Sequence, residues 1–125
     1  MKYLLDTHVF LWYTDGSQKL SEAAENLIDN PNNVIYFSIA SLWEIAIKIG
    51  IGRLDLSFNS LISRLENSGF FVLQPQSSHL GGIINLPPIH KDPFDRLLIA
   101  TALAENMTIL TADENIHKYD VNWIW

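Results

Sequence analysis

The sequence contains no cysteine, which excludes disulfide staples and the cysteine-based zinc sites that hold many small domains together. No apolar run reaches the roughly 20 residues that a bilayer span requires. The longest, Ile39 to Ile51 and Leu97 to Leu103, are interrupted by Glu44, Lys48 and Thr101. Positive charge is scarce as well. Eight Lys plus Arg against fourteen Asp plus Glu leave a net charge of −6, so nucleic acid is not bound through an overall basic surface, and any polyanionic substrate needs help from cations. What remains is ordinary: 125 residues, 48% hydrophobic and 18% charged. That is the size and composition of a single domain, 1–125, able to withdraw roughly two thirds of its unfolded surface from water. Asp6 interrupts the apolar start at Met1 to Leu5 and no small-residue cleavage site follows, so the expected location is the cytoplasm, with no membrane partner.

Apolar runs and turn residues alternate along the chain. Lys2 to Leu5 reads as a strand, with Asp6 or Thr7 placed to cap a helix over Val9 to Tyr13. After the turn at Asp15-Gly16-Ser17, Ser21 precedes acidic residues and a helical pattern that stops at Asn30-Pro31-Asn32-Asn33. Val34 to Phe37 is β-branched and aromatic, as suits a strand buried on both faces. A helix over Ile39 to Ile49 follows, then another over Phe58 to Asn67, and a strand over Phe70 to Leu73. The segment from Pro75 to Pro88 is the least regular and accommodates one short helix and a loop. Pro93 opens a helix running to about Asn106, Thr108 to Leu110 is a fourth strand, and Val121 to Ile124 is placed to add a fifth. Strands alternating with helices predict an α/β domain with a mostly parallel sheet of four or five strands, covered on both faces. In such a sheet the ligand crevice lies beyond the carboxyl ends of the strands.

Acidic residues occupy those positions. Asp6 follows the first strand and Asp113 the fourth, by way of Thr111. Glu44 lies inside the most apolar helix, where an ionised side chain is costly without a partner. Asp95 stands at the head of the Pro93 helix, with Asp92 one turn earlier as a cap or a fifth acid. Each acid alone has an ordinary structural explanation as a cap or an ion pair. Four crowded together repel one another, and the physical remedy is a divalent cation. All-oxygen donors suit Mg²⁺ or Mn²⁺ rather than zinc. Two such ions could activate water and stabilise the leaving oxygen in phosphodiester cleavage, while supplying the positive charge the chain lacks.

The segments Leu4-Leu5-Asp6-Thr7-His8, Ser41-Leu42-Trp43-Glu44-Ile45-Ala46-Ile47-Lys48, Asp92-Pro93-Phe94-Asp95-Arg96-Leu97-Leu98-Ile99-Ala100 and Leu110-Thr111-Ala112-Asp113 together resemble a PIN-domain ribonuclease, more narrowly the VapC-type toxin of a toxin–antitoxin pair. The resemblance covers essentially the whole chain in the family's order. It implies a PIN-like three-layer α/β/α domain whose catalytic and metal-binding acids are Asp6, Glu44, Asp95 and Asp113. Thr111, Asp92 and Thr7 would support them. It further implies Mg²⁺- or Mn²⁺-dependent cleavage of RNA by metal-activated water, with 5′-phosphate and 3′-hydroxyl products. The implied partners are an RNA substrate, a cognate antitoxin that blocks the site, and a second copy in a homodimer. Two features depart from the family's common pattern: Lys91 stands where relatives often have Arg, and Thr101 where they often have Gln.

Lys48, Arg53 and Arg96 are the expected contacts to the RNA backbone. None of His8, His79, His90 and His117 has the spacing of a helical zinc site, and none is read as a ligand. Trp12 and Trp43 lie in apolar helical runs and read as core or interface. Two other functions fit parts of the pattern: a receiver-like phosphoacceptor domain, and a PIN-like module that binds RNA or protein without cutting. A receiver resembles an acidic pair after strand one, a phosphoacceptor after strand three and a later lysine, none of which is present. An intact quartet argues against the non-cutting module.

Overall fold

A computed structural model describes all residues, 1–125. Five strands, β1 (Lys2–Leu5), β2 (Val34–Ser38), β3 (Phe71–Leu73), β4 (Thr108–Leu110) and β5 (Trp123–Ile124), form one sheet in the order β3-β2-β1-β4-β5. Every pairing is parallel. Seven helices connect them: α1 (Thr7–Asp15), α2 (Glu22–Asp29), α3 (Ile39–Gly50), α4 (Phe58–Asn67), α5 (Ser77–Ile83), α6 (Pro93–Glu105) and α7 (Glu114–His117). The architecture is the expected three-layer α/β/α domain.

The sheet has two apolar faces because side chains alternate along each strand. Tyr3, Leu5, Ile35, Phe37 and Leu110 join one cluster with Val9, Phe10, Leu42, Ile45, Leu61 and Leu65. Leu4 and Ile109 turn the other way, onto Leu98, Ile99, Ala102, Ile116 and Tyr119. Phe10 and Phe37 stack at 4.2 Å between ring centroids in the first cluster. The helix ends follow local chemistry. Ser21, Ser38 and Ser57 accept backbone N–H bonds at the starts of α2, α3 and α4. Asn106 ends α6 in the left-handed region at φ 54°, one residue after the helix proper.

The chain runs outward from β1 in both directions, so the strand order reverses beside it, between β1 and β4. Leu5 pairs with Leu110, which leaves Asp6 and Thr111 side by side immediately beyond the sheet. The elements depart from the sequence expectation at α7, which it lacks, whereas the irregular Pro75–Pro88 region contains the expected short helix, the seven-residue α5 packed on α6.

Candidate metal centre

Asp6 sits at the N-cap of α1 but makes no side-chain capping bond, so its carboxylate is available to the crevice. It is 4% exposed, and Thr111 Oγ1 donates to its Oδ2 at 2.7 Å. The same hydroxyl oxygen accepts the Asp113 N–H at 3.0 Å, so one side chain fixes both acids. Asp113 caps α7 through Oδ1, which accepts from Asn115 N at 2.8 Å, leaving Oδ2 to face the crevice. His117 Nε2 donates to the Thr111 carbonyl at 2.8 Å and its ring stacks on Trp123, which pins the turn from behind.

Glu44 enters from α3 and is 6% exposed. It accepts from Thr7 Oγ1 and from Lys48 Nζ, each at 2.8 Å. The lysine lies one turn along the same helix and neutralises the charge that the apolar surroundings penalise. Asp95 enters from the first turn of α6, whose cap is Asp92: Oδ1 of Asp92 accepts from Phe94 N and Asp95 N. Asp92 therefore serves the helix start.

Burial pushes the Asp95 carboxyl up to about 8, and the negative charges of Asp6, Asp92, Glu44 and Asp113 add to the displacement. Asp6 is also raised, chiefly by burial, with Asp113 adding to it and the Thr111 hydrogen bond and His8 opposing it. Burial and neighbouring negative charge thus resist ionisation of Asp6 and Asp95. His90 lies beside Asp95. Its Nε2 is 2.8 Å from Asp95 Oδ2 and 3.3 Å from Asp113 Oδ2. These three donor atoms lie within 4.8 Å of one another and form a cluster able to coordinate a metal ion.

The sequence matches the PIN domain family over residues 3–122. The chain belongs to the PIN-domain family. With that assignment the receiver reading falls. No curated protein matches the chain. Among solved structures, this PIN domain is similar to VapBC2 from Rickettsia felis bound to a DNA fragment from the promoter, at 19% identity and a TM-score of 0.73, covering 99% of this chain and 98% of that one. It is also similar to FitAcB from Neisseria gonorrhoeae (20% identity, TM-score 0.67, 98% and 96% covered). VapBC-1 from nontypeable Haemophilus influenzae resembles it equally (20%, 0.67, 99% and 97%).

Two residues of this PIN domain behave differently from expectation. His90 stands with Asp95 and Asp113 in a cluster able to hold a metal ion, whereas the sequence spacing reads no histidine as a ligand. The available signal was its place two residues before the Asp92 cap, in a segment stiffened by Pro87 and Pro88. Arg96 was expected at the RNA backbone. Its guanidinium instead donates to the carbonyls of Pro87 (2.9 Å), Ile83 (3.2 Å) and Leu86 (3.4 Å) and to Tyr119 Oη (3.1 Å). A fork committed to four acceptors holds the loop and has little left for phosphate. Arg53 is exposed after α3, and Lys48 is bound to Glu44 at the rim.

Thr111 gives a direct test of the arrangement. Thr111→Val leaves Asp6 without its donor and the Asp113 N–H without its acceptor, at a cost of about 1–3 kcal/mol and about 10-fold in metal affinity. Thr111→Ser retains the hydroxyl and is expected to recover most of both, as measured by urea denaturation and Mn²⁺ titration. Equal losses in the two variants would show that the hydroxyl is not what matters.

Proposed function

We propose that this PIN domain is a metal-dependent endoribonuclease that hydrolyses RNA phosphodiester bonds, leaving 5′-phosphate and 3′-hydroxyl ends, and acts as the toxin of a toxin–antitoxin pair. The observation that supports the reading is the convergence of Asp6, Glu44, Asp95 and Asp113 at the β1–β4 switch point, where burial first and the neighbouring negative charges second raise the Asp95 carboxyl. Such a cluster suits a divalent cation, Mg²⁺ or Mn²⁺, held by Asp6, Asp95 and Asp113 with Glu44 beside them. When bound, the ion supplies Lewis-acid activation of water and neutralises developing charge on phosphate. The chain's own part is to aim the carboxylates. Thr111 orients Asp6, Thr7 and Lys48 orient Glu44, and the α7 backbone orients Asp113. Arg53, and Lys48 from its ion pair with Glu44, would supply the local positive charge toward an RNA backbone that a chain of net charge −6 needs. Asp6→Asn is expected to abolish both Mn²⁺ binding and RNA cleavage; cleavage that survives the substitution overturns the site.

A cleft of about 480 Å³ between α1 and the start of α4 is lined by Leu11, Trp12, Leu54, Leu56, Leu61 and Arg64. His8 and Trp12 continue from it to a smaller hollow containing Asp6 and Asp113. A partner segment lying in the cleft would end over the acids, which is how an antitoxin would block them. The chain produced alone is then expected to arrest growth, with relief on co-production of that partner. Unimpaired growth with soluble, intact protein contradicts the toxin role.

Trp43 and Ile47 on α3 and Ile51 at its C-cap are exposed apolar residues at four-residue spacing, 62%, 40% and 62% accessible. Trp43 meets Phe94 of α6 edge-on at 5.2 Å. An apolar row of this kind is suited to self-association about a twofold axis. Light scattering is expected to give a dimer for the native chain and a folded monomer for Ile47→Glu. An unchanged mass in the variant would place the contact elsewhere.

A further inference from the structure

We infer that His90 is a nitrogen ligand of the metal centre, and that it moves the ion preference of the site from Mg²⁺ toward Mn²⁺. The inference rests on the metal-dependent reading above and concerns which ion that site selects.

The position of the ring is built. The His90 backbone N–H donates to Tyr119 Oη at 2.8 Å. That phenol donates to the Pro87 carbonyl at 3.0 Å and accepts from Arg96 at 3.1 Å. One tyrosine, itself 5% exposed, therefore ties the backbone of His90 to the loop before it and to α6, the helix that carries Asp95. The imidazole is delivered from a braced backbone, as a ligand held in advance of its ion must be. Its side chain is 17% exposed, and Nε2 lies between Asp95 Oδ2 and Asp113 Oδ2.

The second ring nitrogen is held only loosely. Nδ1 meets the Asp92 N–H at 3.4 Å, a long contact. Moving the ring proton from Nε2 to Nδ1 sacrifices little, and it frees the Nε2 lone pair at the point where the two carboxylates converge. A neutral imidazole adds no charge to the centre, so its effect falls on selectivity. Mg²⁺ prefers oxygen donors and retains water, whereas the later first-row ions accept imidazole more readily, with Mn²⁺ the first of them. His90 therefore makes an otherwise all-oxygen site a mixed one.

The test uses the full chain freed of metal, titrated separately with Mn²⁺ and Mg²⁺, as native protein and as His90→Gln and His90→Ala. Circular dichroism verifies the fold of each variant. Pulsed electron paramagnetic resonance of the Mn²⁺-loaded native protein needs no variant. It is expected to show modulation from a coordinated ¹⁴N nucleus, which His90→Gln removes. The substitution is expected to weaken Mn²⁺ about 10-fold or more while changing Mg²⁺ by less than about threefold. Mn²⁺ bound without nitrogen modulation overturns the ligand assignment alone. So does tighter binding by His90→Ala, which would make the imidazole a counter-ion displaced by the metal. Failure of the folded native chain to bind either ion overturns the metal-dependent reading itself, and the inference with it.

Discussion

Asp95→Asn is expected to abolish metal binding and RNA cleavage while raising the stability of the metal-free protein at pH 8. The folded chain holds a proton on Asp95 up to about pH 8, whereas the unfolded chain releases it near the ordinary carboxylate value of about 4. Between those values the folded state binds more protons than the unfolded one. The contribution of this group to stability is therefore greatest at low pH and falls as pH rises from about 4 to about 8. Asn carries no such penalty. The full displacement corresponds to several kcal/mol, and a gain of about 2–4 kcal/mol at pH 8 is expected once relaxation and water entry are allowed for.

Urea denaturation in chelator at pH 5.5 and pH 8 measures this directly. The native chain should be less stable at the higher pH relative to the variant, and added Mn²⁺ should reverse the order by binding only the native site. Because the ion displaces the Asp95 proton, Mn²⁺ binding at pH 7 should release protons and tighten as pH approaches 8. A destabilised variant at pH 8 would mean that the carboxylate is not held under repulsion.

Arg96→Leu is expected to cost about 1–3 kcal/mol of stability, because the half-buried guanidinium that ties four acceptors together is lost, although Ile83 O, Pro87 O and Tyr119 Oη each keep another donor. The four acceptors are the carbonyls of Ile83, Leu86 and Pro87 and the Tyr119 hydroxyl. Tyr119 in turn holds His90. Loss of Arg96 should therefore raise amide exchange at His90 and weaken Mn²⁺ binding, although Arg96 touches none of the four acids. Arg96→Lys is not expected to rescue, since an ammonium cannot reproduce the fork. A stable variant with unchanged metal affinity and weaker RNA binding would restore Arg96 to the substrate.

The parts of the site that sequence discloses are those fixed by local rules. Asp6 and Asp113 follow strands whose apolar runs are plain, and parallel pairing of Leu5 with Leu110 brings their neighbours together. Glu44 is conspicuous because so apolar a helix has little reason to contain an acid. Asp92 is legible as a cap because Pro93 follows it. His90 is different. Its position depends on Tyr119, 29 residues away, and on Arg96, contacts made only once the domain is folded. α7 has four residues and no periodicity; it forms because Asp113 caps it and Ile116 buries against Leu4 and Ile109. Trp43 fits its helix by pattern, and only the folded structure reveals that it faces outward.

Incubating the purified chain, freed of any co-purifying partner, with total cellular RNA in Mg²⁺ or Mn²⁺, with chelator and Asp95→Asn as controls, asks whether the four converging acids and a divalent ion cut RNA. Discrete fragments with 5′-phosphate ends, lost in chelator and in the variant, are the predicted result. RNA that stays intact while metal binding is confirmed, or that is cut equally by Asp95→Asn, would contradict cleavage by these acids.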